Sequence, residues 1–165
     1  MKTIIISLVV LLATSTLLTT GAETPVKPVL TLGTAKKAAD AAEKEARKRG
    51  ATVVIAVVDD GGHLILLERL DDTQVASVEV GIGKARTAAI FRRPSKVFED
   101  QIRDGRVAAL ALPGATPLQG GIPILIEGKV AGAIGVSGNT PQEDEEIAIV
   151  GASAVSDASV AGDKK

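Results

Sequence analysis

The segment Thr52–Leu70, TVVIAVVDDGGHLILLERL, constrains the fold more than any other stretch of this chain. Thr52–Asp59 is a continuous β-branched and apolar run, which reads as a central strand covered on both faces. His63–Leu70 reads as a second strand. The DDGG between them has the turn chemistry of a four-residue hairpin loop. A second hairpin follows at Ile122–Gly138, IPILIEGKVAGAIGVSG, with Glu127-Gly128 as a type I′ turn. Its second strand carries Gly132, Gly135 and Gly138, which mark a bulge or the close approach of another backbone or a ligand.

Helical patterns surround the hairpins. Thr31 reads as the N-cap of a helix over Leu32–Arg49, where Leu32, Ala35, Ala39, Ala42 and Ala46 recur at helical spacing and Gly50 ends it. Val75–Phe91 is a second helix, with Arg92 and Arg93 at its C-terminal end and Pro94 as its stop. Ser95 is placed to cap a short helix over Lys96–Asp104. Val107–Gly121 reads mostly as loop, with a short strand at Ala108–Leu110. Thr140, Pro141 and Glu143 form a capping box that opens a last helix. Strands arriving in hairpins, with helices between and around them, predict an α+β fold. Its antiparallel sheet has about five strands and flanking helices, and it is not a Rossmann pattern.

The core of this sheet has few building blocks. The chain has no Cys, Trp or Tyr and only two Phe, Phe91 and Phe98. Val, Ile, Leu and Ala must fill the interior, and no cysteine nucleophile or tyrosine acid is available. Two phenylalanines do not make a base-stacking surface for single strands.

The N-terminus reads as a secretory signal peptide over residues 1–22. Met1-Lys2 is the basic start, TIIISLVVLLATSTLL the apolar stretch, and Thr20-Gly21-Ala22 the small-residue cleavage region. The apolar stretch is short and broken by Ser and Thr, so no membrane insertion is expected after cleavage. Without a cysteine, a lipid-anchored product is excluded. Export to a bacterial periplasm or beyond the cell suits a cysteine-free chain. Residues 23–30 form a Pro-containing extended arm, 31–158 a single domain and 159–165 a frayed tail. The formal charge is −1, and loss of Lys2 makes it about −2, which argues against nucleic acid and anionic membranes as partners.

Several motifs can be weighed for chemistry. Gly81–Lys84, GIGK, lacks the spacing and the following Ser or Thr of a phosphate loop, and small residues there suit a close helix contact. Glu143–Glu146, EDEE, belongs in a first helical turn for dipole reasons and has no histidine nearby to complete a transition-metal site, so no metal site is assigned. Arg92 and Arg93 either hold a ligand carboxylate or complement a helix end, with Asp100 or Glu99 as ion-pair partners. Ser77, Ser95 and Ser137 lie outside any nucleophile elbow, and no catalytic triad can be argued from order. His63 is the only histidine, either a solvated turn residue or a ligand.

LTLGTAKKAADAA, IAVVDDGGHLILLERLDD, GKARTAAIFRRPS and GGIPILIEGKVAGAIGVSGNTPQEDEEIA, taken in this order over Leu30–Val155, resemble the GlcG/HbpS-like family. That family includes the C-terminal domain of PduO-type cobalamin adenosyltransferases. The resemblance implies a profilin-like fold, assembly into homo-oligomers that are often octamers, and haem binding by several exported members. Intracellular members are linked to glycolate or diol utilisation. Haem iron is usually held by His, Cys, Met or Tyr, and after export only His63 of these remains. The family's haem binders are understood to use a threonine, which brings forward Thr116 in PGATPLQGG. Arg92 or Arg93 would then pair with a propionate. The leading expectation is an exported haem-binding accessory protein, with turnover of its own not expected. One alternative is a small-molecule protein of carboxylic acid or diol metabolism, with a polar pocket lined by Asp59, Arg69, Lys84, Arg92 and Ser137. In that pocket Lys84 and Asp59 would form an acid/base or ion pair. The other is an oligomeric assembly that presents surfaces to a partner protein.

Overall fold

The computed structural model describes residues 24 and 26–156. The expected signal peptide at 1–22 and the tail at 159–165 lie outside the described residues. The chain runs through α1 (Leu32–Arg49), β1 (Val54–Asp59), β2 (Leu64–Arg69), α2 (Ser77–Phe91), α3 (Lys96–Arg103), a 3-10 turn (Val107–Ala111), β3 (Gly121–Ile126), β4 (Lys129–Ser137) and α4 (Pro141–Ser153). The sheet has four strands in the order β2-β1-β4-β3, with every neighbouring pair antiparallel. Among the described residues no helix is long and apolar enough to cross a membrane.

β1 is central, and its residues alternate between two cores. Ile55 and Val57, with Val53 just ahead of the strand, join the alanines of α1 and Ile147 and Ala148 of α4. Ala56 and Val58 join Ala85, Ala88 and Ala89 of α2. This two-sided burial is why the strand reads as an unbroken apolar run. α1 starts as its sequence requires, with Thr31 Oγ1 accepting from the Thr34 amide at 3.2 Å. α4 starts likewise, on the Thr140 hydroxyl accepting from the Glu143 amide at 3.3 Å.

The glycines of β4 mark close contact with α2. A Cβ on Gly135 would collide with the Gly81 carbonyl and come within 2.5 Å of the Ala85 amide. Helix and strand backbones therefore touch at Gly81 and Gly135, and this contact sets how deep Lys84 lies. Glu127 and Gly128 both take positive φ, 51° and 70°, as the type I′ turn demands.

Two local expectations are corrected. Residues 108–110 are not a fifth strand, because the segment closes i to i+3 bonds, Ala109 to Arg106 and Leu112 to Ala109. Only Ala109 of it is buried, while Val107 and Leu110 stay exposed. Ser95 does not cap α3. Its backbone is already helical, and its hydroxyl donates to the Leu118 carbonyl at 2.5 Å and accepts from the Gly121 amide at 2.8 Å. The serine thus ties the start of β3 to the end of α2.

Candidate functional site

The β1–β2 turn is organised by Asp59. Its Oδ1 accepts from the amides of Gly61 at 2.9 Å and His63 at 2.8 Å. The same oxygen lies 3.3 Å from His63 Nδ1, and the imidazole is 82% exposed. Burial acts to raise the Asp59 carboxyl, but the His63 amide, the imidazole and the Gly61 amide outweigh it and hold the group below its ordinary range. With Nδ1 turned to the carboxylate, Nε2 is the nitrogen on the far side of the ring. Lys27 of the N-terminal arm pairs with Asp60 in the same turn.

The turn rests on the outer face of α2. Arg86 Nε donates to the Gly62 carbonyl at 3.2 Å. Gly62 has φ 83°, and a Cβ there would meet Arg86 Cγ at 2.7 Å and Ile90 at 3.2 Å. Ile90 also lies 3.4 Å from a Cβ placed on Gly114. The turn carrying His63 and the segment carrying Thr116 therefore meet on one exposed isoleucine. Thr116 is anchored by its amide, which donates to Thr87 Oγ1 at 2.7 Å. Its hydroxyl is packed onto Gly83, where no side chain would fit. The Thr87 hydroxyl in turn donates to the Gly83 carbonyl at 2.8 Å.

A separate recess of about 220 Å³ lies towards the other end of α2. Lys84, only 4% exposed, reaches under β4 and donates to the Val136 carbonyl at 2.9 Å and to Asp144 Oδ2 at 2.8 Å. Asp144 Oδ1 accepts from the Asn139 amide at 3.0 Å. Burial pushes the Asp144 carboxyl up, against the Lys84 ammonium and the amides of Asn139 and Gly138, which act to lower it.

The polar pocket expected from sequence is therefore divided. Lys84 and Ser137 share the recess, but Lys84 pairs with Asp144 rather than Asp59. Sheet register explains this: Ser137 pairs with Val54 at one end of β1, while Asp59 pairs with Gly132 at the other. Arg69 is exposed and stands beside Val54, outside the recess lining. Arg92 caps α2 at φ 55° and is exposed. Arg93 donates to the Phe91 carbonyl at 3.1 Å, and its guanidinium lies 5.9 Å from the Phe98 ring centre. Their expected acidic partners are engaged elsewhere: Asp100 with Lys96 and Arg103, and Glu99 with the Gln119 amide.

The four carboxylates of Glu143–Glu146 go to four different partners. Glu143 accepts from the Thr140 hydroxyl at 2.7 Å, Asp144 from Lys84, Glu145 from Gln119 Nε2 at 2.6 Å, and Glu146 pairs with Arg49. Arg86, Ile90 and Asp144 escaped sequence reasoning as site residues. Arg86 and Ile90 look like ordinary helix surface, and no local spacing rule joins Lys84 to a residue 60 positions away.

The model of the family described as haem degrading protein HbpS-like matches residues 30–153. Protein GlcG of Escherichia coli K12 is 44% identical over 97 residues, which is 59% of this chain and 72% of that protein. The crystal structure of a Streptomyces reticuli HbpS variant is 31% identical, covers 88% of this chain and 99% of its own, and superposes at TM-score 0.74. A PduOC–haem complex, 23% identical over 77% of this chain and 95% of its own, is alike in fold at TM-score 0.70.

Proposed function

The chain belongs to the HbpS-like family, and from that premise we propose that it binds haem where the β1–β2 turn and the 112–118 segment meet α2. The observation that carries the reading is the Asp59–His63 pair. A carboxylate on one imidazole nitrogen fixes ring and tautomer and leaves the other nitrogen for a metal, the usual outer-shell arrangement of a ligating histidine. The surroundings fit an amphipathic plate. Ile90 offers apolar contact, and Arg86 is a cation suited to a propionate. The recess under Lys84 does not fit it, because about 220 Å³ is below the roughly 300–1,000 Å³ of pockets for drug-sized ligands.

In this reading His63 Nε2 would hold the iron, Asp59 would orient the imidazole, and Arg86 would pair with a propionate. Thr116 is the alternative oxygen ligand, and to serve it must turn its hydroxyl off Gly83. The haem iron supplies the redox chemistry when bound. The remaining residues supply position. Residues 1–22 direct the chain out of the cytoplasm, which the N-terminal mass of the exported protein tests.

Haem titration of residues 23–165 is the direct experiment. Polypeptide does not absorb in the Soret region, so the shift is read directly. A saturable Soret shift is expected, lost in His63→Ala. An unshifted, non-saturating titration refutes the reading. A shift retained in His63→Ala but lost in Thr116→Val moves the ligand to Thr116. Bleaching of the bound Soret band on adding reductant under air distinguishes degrading haem, as the family description names, from holding it.

A further inference from the structure

The recess between the N-terminal ends of α2 and α4 lies apart from the proposed haem site, and its walls carry unspent polar capacity. Ser77 is 1% exposed, lines the recess, and its hydroxyl has no hydrogen-bond partner among the described residues. Such an orphan in a folded interior calls for a ligand or an ordered water. Removing it to apolar packing would be less costly than leaving it unpaired. Lys84 donates to Val136 and Asp144, and an ammonium carries three donors, so one remains. Glu99, also on the lining, accepts the Gln119 amide through one oxygen and keeps lone pairs on the other.

We propose that this recess binds a small neutral polyhydroxyl molecule, with Ser77, Lys84 and Glu99 as its hydrogen-bonding walls. The charge balance selects against ions. Lys84 is already answered by Asp144, and Glu99 adds a negative charge, so an incoming carboxylate gains no free cation. An ammonium could reach only the free Glu99 oxygen, and it would bring a second positive charge into a recess already lined by the Lys84 ammonium. A molecule with adjacent hydroxyls donates and accepts at every oxygen. It can accept a hydrogen bond from the spare Lys84 N–H, donate one to Glu99, and do either with Ser77. The volume of about 220 Å³ suits a molecule of a few carbons.

Amide-resolved NMR on the mature chain tests this with glycerol, glycolate and ethanolamine as probes. Glycerol is expected to shift the amides of Ser77, Gln119 and Asn139 along saturating curves, while glycolate and ethanolamine do not. Ser77→Ala is expected to weaken glycerol about fivefold, the worth of one ordinary hydrogen bond. It should keep or raise the melting temperature, because it removes an unpartnered buried oxygen. Linear, non-saturating shifts with glycerol overturn the proposal. So does saturation by an ionic probe instead, or unchanged glycerol binding by Ser77→Ala. Haem titration of the same variant is expected to match the parent, which separates this site from the one at His63.

Discussion

Glu68 stands on the α1 side of the sheet, opposite Ile55, with one carboxylate oxygen buried and without a hydrogen-bond partner among the described residues. Burial, then repulsion from Glu43 and Asp40, pushes its carboxyl up. A carboxyl raised by folding favours the native state below its unfolded value, about 4.3, and that benefit is lost as pH rises through the folded value. Glu68→Gln is therefore expected to raise the melting temperature at pH 7, with the gain shrinking towards pH 4. Equal melting of the two proteins at pH 7 would contradict this. Asp59 has the opposite sign. Its carboxyl is held down, so the stability it adds is present above its ordinary value and lost as pH falls through the folded one. Asp59→Asn is expected to flatten that acid limb. It should also weaken haem by about 10–100-fold, the usual loss for a second partner of a metal-bound histidine, read by competitive Soret titration. His63 was legible in sequence as a turn residue or ligand, but Asp59 read as a partner of Lys84, and its contact with His63 comes from the fold of the turn. The pairing of Lys84 with Asp144 was not legible, because it depends on how α2 and α4 dock at the same end of the sheet.

At the level of elements, α2 is the organising piece. It lies on β4 through Gly81 and Gly135, lets Thr116 settle on Gly83, and carries Arg86 and Ile90 to the turn and Lys84 to the recess. A methyl group at Gly135 has nowhere to go, since the obstruction is helix backbone. Gly135→Ala should cost about 1–3 kcal/mol by overpacking, measured by urea unfolding followed by far-ultraviolet circular dichroism. Haem and glycerol binding should both weaken, since α2 must lift to admit the methyl. A cost near zero would mean that α2 does not rest on β4 at this point. The hairpins, α1 and the α4 cap were readable from sequence because their signals are local: period, turn residues, a hydroxyl three residues before a glutamate. VAALA at Val107–Ala111 misled because a short apolar run carries no period long enough to choose between strand and turn. Ser95 misled for another reason. A serine before a helix reads as a cap unless a distant strand claims its hydroxyl, and Gly121 does.

In the whole molecule, the two sites lie towards opposite ends of α2 and rest on parts of unequal stability. β1 and β4 are the inner strands, buried along most of their length between helical layers. Their amides can exchange only when the sheet opens, so their protection should track global unfolding. α3 and the 3-10 turn pack on each other at the periphery, and Val107 and Leu110 are left in solvent. That region should open locally and exchange first. Binding then protects what it touches. Haem is expected to slow exchange across 61–64 and 112–118 while leaving 137–139 unchanged, and glycerol is expected to do the reverse. Hydrogen exchange by mass spectrometry on the free protein and on each loaded form reads all three regions at once. Protection of 137–139 by haem would mean that the two sites are coupled through α2. Protection of neither loop would remove haem from the β1–β2 turn altogether.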